Sequence, residues 1–319
     1  MSDLACIPEE LRGIDKSEWC HHSAQNGNLE MLKWARRHSA PWDKRTCAYA
    51  ALNGHLCILK WARANGEPWD EQTCQYAAMN GQLDVLKWAR AHGAPWNEWV
   101  CSHAAFYNHL GILQLARENG APWDEWTCAY AAKNGHLEVL QWAKSHGAPW
   151  DCMTCESAAS GGHLKCLQWA RANGAPWDEH TCANAAMDGH LNILQWARAN
   201  SAPWDEDTCA NAALHGHLCI LQWARENGAP WDEWTCTYAA FNGHIDILRL
   251  AFEHGAHWDD ESIKKHEHRI ITECPHIAVS LFRLHRGTPL TNSVARKFIR
   301  TLYSTIPLIT PLCDLIINY

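Results

Sequence analysis

The sequence contains no uninterrupted apolar run near the ~18 residues that a membrane-spanning helix needs. Its start shows no charged-then-apolar secretory signal. The most apolar stretch, residues 301–319, is broken by Pro307, Pro311 and Asp314. The expectation from these absences is an intracellular protein, cytoplasmic or nuclear, with no membrane partner. Also missing are a glycine-rich phosphate loop, an H-E-x-x-H helix and a Ser/His/Asp set. No catalytic residue and no cofactor is therefore expected. Positive charge is scarce too. The net charge is −8, and residues 260–319 contribute +3, which leaves −11 for the first 259 residues. Nonspecific nucleic-acid affinity comes from neutralising phosphates with Lys and Arg, so no nucleic-acid partner is expected.

What the sequence does contain, it repeats. The tryptophan of a Pro-Trp step recurs every 27 residues, at Trp42, Trp69, Trp96, Trp123, Trp150, Trp177, Trp204 and Trp231, and again without the proline at Trp258. A cysteine keeps the same period from Cys20 to Cys236. Nine units thus run from Ser17 to Asp259, and a fixed period in this range marks a solenoid whose units bury their apolar faces against one another. Sixteen cysteines could suggest a disulfide scaffold. Equivalent helices pack ~8–10 Å apart, however, and a disulfide needs Cα atoms within roughly 7 Å. The cysteine ladder reads as reduced, buried thiols.

One unit predicts a helical hairpin. Thr46 is placed to start a short Ala-rich helix, and Gly54 ends it in a left-handed turn, a slot filled by Asn108 in one unit. Leu56, Ile58, Leu59, Trp61 and Ala62 form one stripe on a second helix. Gly66 and Pro68 stop that helix.

The string AAKNGHLEVLQWA, followed by a closing Gly-Ala, resembles the ankyrin repeat. The period of 27 departs from the ankyrin period of 33, and the missing residues fall where ankyrin repeats carry a projecting β-hairpin finger. Short fingerless arrays with such Pro-Trp steps are similar to those of giant DNA viruses and protists; a viral origin would place the protein in a host cell. The fold expected is all-α, an α-solenoid of stacked helix–turn–helix ankyrin-like repeats. Residues 1–16 are read as an N-terminal cap segment, 17–259 as the repeats, and 260–319 as a divergent helical C-terminal capping region. The sixteen residues before the first unit are too few for the F-box that precedes some such arrays.

The resemblance implies a non-catalytic, monomeric scaffold that binds a partner protein through the concave face and loop edge. Two alternatives stand beside it. One is a substrate adaptor of a ubiquitin-ligase-type complex with the C-terminal segment as docking element. The other is a metal-binding protein, for which the lone Cys152-Met-Thr-Cys155 is weak support; no metal ligand is assigned. The histidines after the turn glycine are expected to bond between neighbouring turns. Both tryptophan ladders, at the Pro-Trp step and at Trp34, Trp61, Trp88 and their equivalents, are expected to be packing. The second of them is expected in the core.

Specificity should lie where units differ. The residue two before each ladder cysteine varies without a packing rule, and Arg45, Gln72, Trp99, Trp126, His180 and Trp234 are the candidate partner-binding residues. The residue after the cysteine (His21, Ala48, Gln75, Ser102 and equivalents) also varies and is expected on the same binding face.

Overall fold

The computed structural model describes residues 7–254, and the backbone there is helical with no strand. Residues 260–319, read from sequence as a cap, lie outside the described residues. The chain divides into two compact units, Met1–Pro176 and Trp177–Tyr319.

In the first unit the helical pairs are α1 (Trp19–Gln25) and α2 (Leu29–Arg37), α3 (Lys44–Leu52) and α4 (Leu56–Ala64), α5 (Glu71–Met79) and α6 (Leu83–Ala91). They continue with α7 (Trp99–Phe106) and α8 (Leu110–Glu118), α9 (Glu125–Lys133) and α10 (Leu137–Ser145), α11 (Cys152–Ser160) and α12 (Leu164–Ala172). In the second unit they are α13 (Glu179–Met187) and α14 (Leu191–Ala199), α15 (Glu206–Leu214) and α16 (Leu218–Glu226), α17 (Glu233–Phe241) and α18 (Ile245–Glu253).

Each hairpin is set by a few local rules. α3 is capped by Asp43, whose carboxylate accepts the Arg45 N–H at 2.9 Å. This corrects the expectation for Thr46. The helix starts two residues earlier, and Thr46 is buried in its first turn. The hydroxyls of Thr46, Thr73, Thr127, Thr154, Thr181, Thr208 and Thr235 have no hydrogen-bond partner, and Val100 fills the same slot. The slot thus asks for a small β-branched residue rather than a cap. At the far end Gly54 takes φ +75°, and the His55 N–H closes back on the Ala50 carbonyl at 2.8 Å. Helix α4 ends with the Asn65 side chain donating to the Trp61 carbonyl at 2.8 Å. Where histidine takes the Asn slot, as at His92, its Nδ1 reaches the Trp88 carbonyl at 2.8 Å. A carbonyl only accepts, so Nδ1 carries the proton.

Within each unit the first helices of successive hairpins pack directly on one another, α1 on α3, α3 on α5, α5 on α7, α7 on α9 and α9 on α11, then α13 on α15 and α15 on α17. They do so through the ladder cysteines and flanking alanines, all fully buried. Small side chains let these backbones approach closely. The second helices contribute the large core residues, such as Ile58 and Leu59, each worth ~2 kcal/mol on burial. Neighbouring units are tied at the turns as expected. His55 Nε2 donates to the Gln25 carbonyl at 3.2 Å, and His136 Nε2 to that of Phe106 at 3.0 Å. A side chain at Gly27 would meet the His55 ring at 2.6 Å, so that turn glycine serves both the positive φ and the histidine that crosses it.

The expectation that the second tryptophan ladder is core is corrected. Trp61, Trp88 and Trp142 are half-buried, as are the loop indoles. The two ladders pair edge-to-face, with ring centroids at 5.7 Å for Trp42–Trp61 and 6.0 Å for Trp69–Trp88. Seven of the described loop indoles also carry a cation, with the Arg36 guanidinium 4.1 Å and that of Arg117 3.8 Å from the Trp42 and Trp123 rings. The same arginines donate to the loop carbonyls of Ala40 and Ala121. A loop only a few residues long is thereby held by one guanidinium with two partners.

Candidate functional site

The variable residue sits in the first turn of each first helix, and its backbone N–H is bound by the capping side chain. Gln72 donates to Asp70 at 3.1 Å, Trp99 to Asn97 at 3.3 Å, His180 to Asp178 at 3.1 Å and Trp234 to Asp232 at 3.1 Å. With the backbone fixed, the side chain must leave the helix at its rim. Trp99, Trp126 and Trp234 are 38%, 39% and 44% exposed, and with Tyr107 they make up the exposed large hydrophobic residues of the described chain. Arg45 and His180 are also exposed, and Gln72 is half-buried. Arg45 is not free, because it pairs with Asp43 at 3.0 Å and lies 3.8 Å from Glu18.

Of the residues at the position after the cysteine, half-buried Gln75 lines the cleft beside Trp99, whereas most of the others do not reach this face. Ala48, Ser102, Ala129, Ala183, Ala210 and Thr237 are buried between stacked helices, and so is His21. At three of these positions a polar residue reaches forward to the next capping residue, while the Thr237 hydroxyl donates back to the Glu233 carbonyl at 2.8 Å. His21 Nε2 lies 2.9 Å from Asp43, the Gln75 amide donates to Asn97 at 2.9 Å, and the Ser102 hydroxyl donates to Asp124 at 3.1 Å. Its variety reflects alternative ties between hairpins.

Two other positions do join the face, and both follow from helical geometry. Residues four and seven after the variable slot lie on the same side of the helix. Trp99, His103 and Phe106 share one face of α7, and Trp126, Tyr130 and Lys133 the equivalent face of α9. These rings are in contact: Trp99–His103 at 5.6 Å, Trp126–Tyr130 at 5.2 Å and Phe106–Tyr130 at 5.3 Å between centroids. Tyr49 and Tyr76 stack at 6.5 Å on α3 and α5. The varied letters at these two slots were the available signal, passed over because each slot taken alone looked like half-buried filler. Beside Trp99 lies an open cleft of about 460 Å³ walled by Asp70, Glu71, Gln72, Gln75, Asn97, Trp99 and His103. Burial holds the His103 pKa below the usual histidine range, so its ring stays neutral.

The side chains this face presents are mostly aromatic and acidic. The ladder thiols lie on the opposite side of the same helices, where burial pushes Cys47, Cys74, Cys101 and Cys128 up to about 12. A thiol so raised is neither nucleophile nor ready metal ligand.

The family model for ankyrin repeats (many copies) matches residues 101–143 and again 128–170. These units are ankyrin repeats. The matches span α7–α10 and α9–α12, and the helical pairs on either side repeat the same 27-residue pattern. No curated protein matches the chain. Ankyrin repeats generally mediate protein–protein interactions and are typically non-catalytic modules. In this short form the finger gives way to the arginine-clamped loop. Among the described residues no helix is long and apolar enough to cross a membrane.

Proposed function

We propose that this ankyrin-repeat chain is a non-catalytic scaffold that binds a partner protein through the rim of its first helices, with Trp99 and Trp126 as anchors. Gln72 and Arg45 border them in the first unit. Trp234 and His180 mark the equivalent rim of the second unit, taken as a surface in its own right. The observation that carries this reading is the exposure of tryptophan at the one slot where packing does not demand it. Exposed indoles cost solubility unless a partner covers them, and Trp is the residue type most enriched at binding hot spots.

The test is affinity capture from native cells with the intact chain and with a Trp99→Ala/Trp126→Ala variant of unchanged helical circular dichroism. The variant is expected to lose at least one partner that the intact chain recovers. Retention of every partner would show that these residues are not the binding surface.

A further inference from the structure

The loop indoles and the exposed indoles of the first helices differ in what covers them. The loop indoles are satisfied internally. In the first unit Trp42, Trp69, Trp96, Trp123 and Trp150 each carry an Arg or Lys 3.8–4.1 Å from the ring centroid, and in the second unit Trp204 and Trp231 do the same. Trp99 and Trp126 are more exposed than the loop indoles and carry no cation. Their ring neighbours are His103 and Tyr130, one neutral and one phenolic.

The charge around them is mostly negative. Glu71, Glu98, Asp124 and Glu125 form no ion pair, whereas Asp70 is matched by Lys44, and Asp43 and Glu18 by Arg45. Burial is the first cause that raises the Asp124 carboxyl, and the charges of Glu98 and Glu125 push it further in the same direction. Asp124 accepts a hydrogen bond from the Ser102 hydroxyl at 3.1 Å, which works against that rise, but no cationic side chain pairs with the carboxylates around Trp126. Lys133 is the only cation on this face of α7 and α9, two helical turns from Trp126. Glu71 also walls the cleft beside Trp99.

We infer that the α7–α9 face is a docking surface for a basic, Arg- or Lys-rich segment of a partner protein, whose cationic side chains lie on Trp99 and Trp126 and face the surrounding carboxylates. The chain makes this very pairing seven times on its own loop indoles, so the surface offers a partner what the loops already hold. The inference rests on the protein-binding reading and adds the partner's chemistry to it.

Labelled peptides titrated against the intact chain, with fluorescence anisotropy as readout, test it. The probes are a peptide of alternating arginine and glycine and matched peptides with glutamine or glutamate in place of arginine. The arginine peptide is expected to bind and the other two not. Binding should weaken from 0.1 to 1 M salt, as the screening length falls from about 10 to about 3 Å. Trp99→Ala/Trp126→Ala should weaken it by roughly fivefold to thirtyfold, the sum of two exposed cation–π contacts. Glu98→Gln/Glu125→Gln, which leaves the indoles in place, should also weaken it.

Equal binding of the glutamine peptide, preference for the glutamate peptide, or arginine-peptide binding untouched by the tryptophan variant would each overturn the inference. So would self-association of the intact chain in sedimentation that the same variant abolishes, which would make a second copy the occupant. If a captured partner is lost from the tryptophan variant while the arginine peptide fails to bind, the scaffold reading stands and only the basic partner falls.

Discussion

Glu67 occupies the loop slot that alanine fills in every other unit, and its side chain is fully buried with both carboxyl oxygens unpaired. Burial pushes its pKa up to about 8, against the pull of Arg36 and Arg63. The acid is therefore protonated in the folded protein at neutral pH and ionised in the unfolded chain. The folded state holds the extra proton, so the group's contribution to stability is fully present below about pH 4.5 and is lost as pH rises toward about 8. Glu67→Ala, which restores the repeat's own residue, is expected to raise stability at pH 8 by ~1–3 kcal/mol. It should also flatten the decline in melting temperature between pH 5 and 8. An unchanged pH profile in thermal melts would show that Glu67 ionises freely. The oddity was visible in the sequence as Gly-Glu-Pro where Gly-Ala-Pro recurs, but its burial was not, because a loop glutamate ordinarily points to water.

At the scale of elements the hairpins were legible and their edges less so. Periodicity located both helices of each unit, and the left-handed glycine and the crossing histidine followed from residue type. The helix start was misplaced because Thr and Asp are both capping residues, and only the buried environment shows which one caps. The tryptophans were misread for a related reason. Apolar replacement by Leu115 and Leu250 signals contact but not depth, and these rings lie along the rim. Of the exposed aromatic face on α7 and α9, the variable slot stood out in the sequence, whereas the positions four and seven residues beyond it did not. The loop clamp gives an element-level prediction. Arg117→Met removes both the stack on Trp123 and the bond to the Ala121 carbonyl, and is expected to cost ~1–2 kcal/mol. Arg117→Lys should recover part of this, because Lys144 sits 4.0 Å from the Trp150 ring in the same role. Equal losses for the two variants in chemical denaturation would mean that the cation–indole contact does not hold the loop.

Over the whole molecule the repeat makes stability local, with each hairpin depending on those it touches. The division at Pro176 and Trp177 has no counterpart in the 27-residue pattern, which runs through it unchanged. Among the described residues the cysteines form no disulfide. Those of the ladder are buried, while Cys57 and Cys219 are exposed on second helices. Modification of the folded chain by a thiol reagent is expected to label Cys57 and Cys219 at once and the ladder only after opening. Rapid labelling of the ladder in native conditions would contradict the packing of the first helices.

The same ladder has a use that its packing role does not suggest. One shielded sulfur per hairpin, of the same chemistry at every step, amounts to a set of built-in clocks. Pulse alkylation followed by peptide mapping would time the opening of each repeat in a single unmodified molecule. The order in which the sulfurs become reactive would trace how unfolding spreads along the chain.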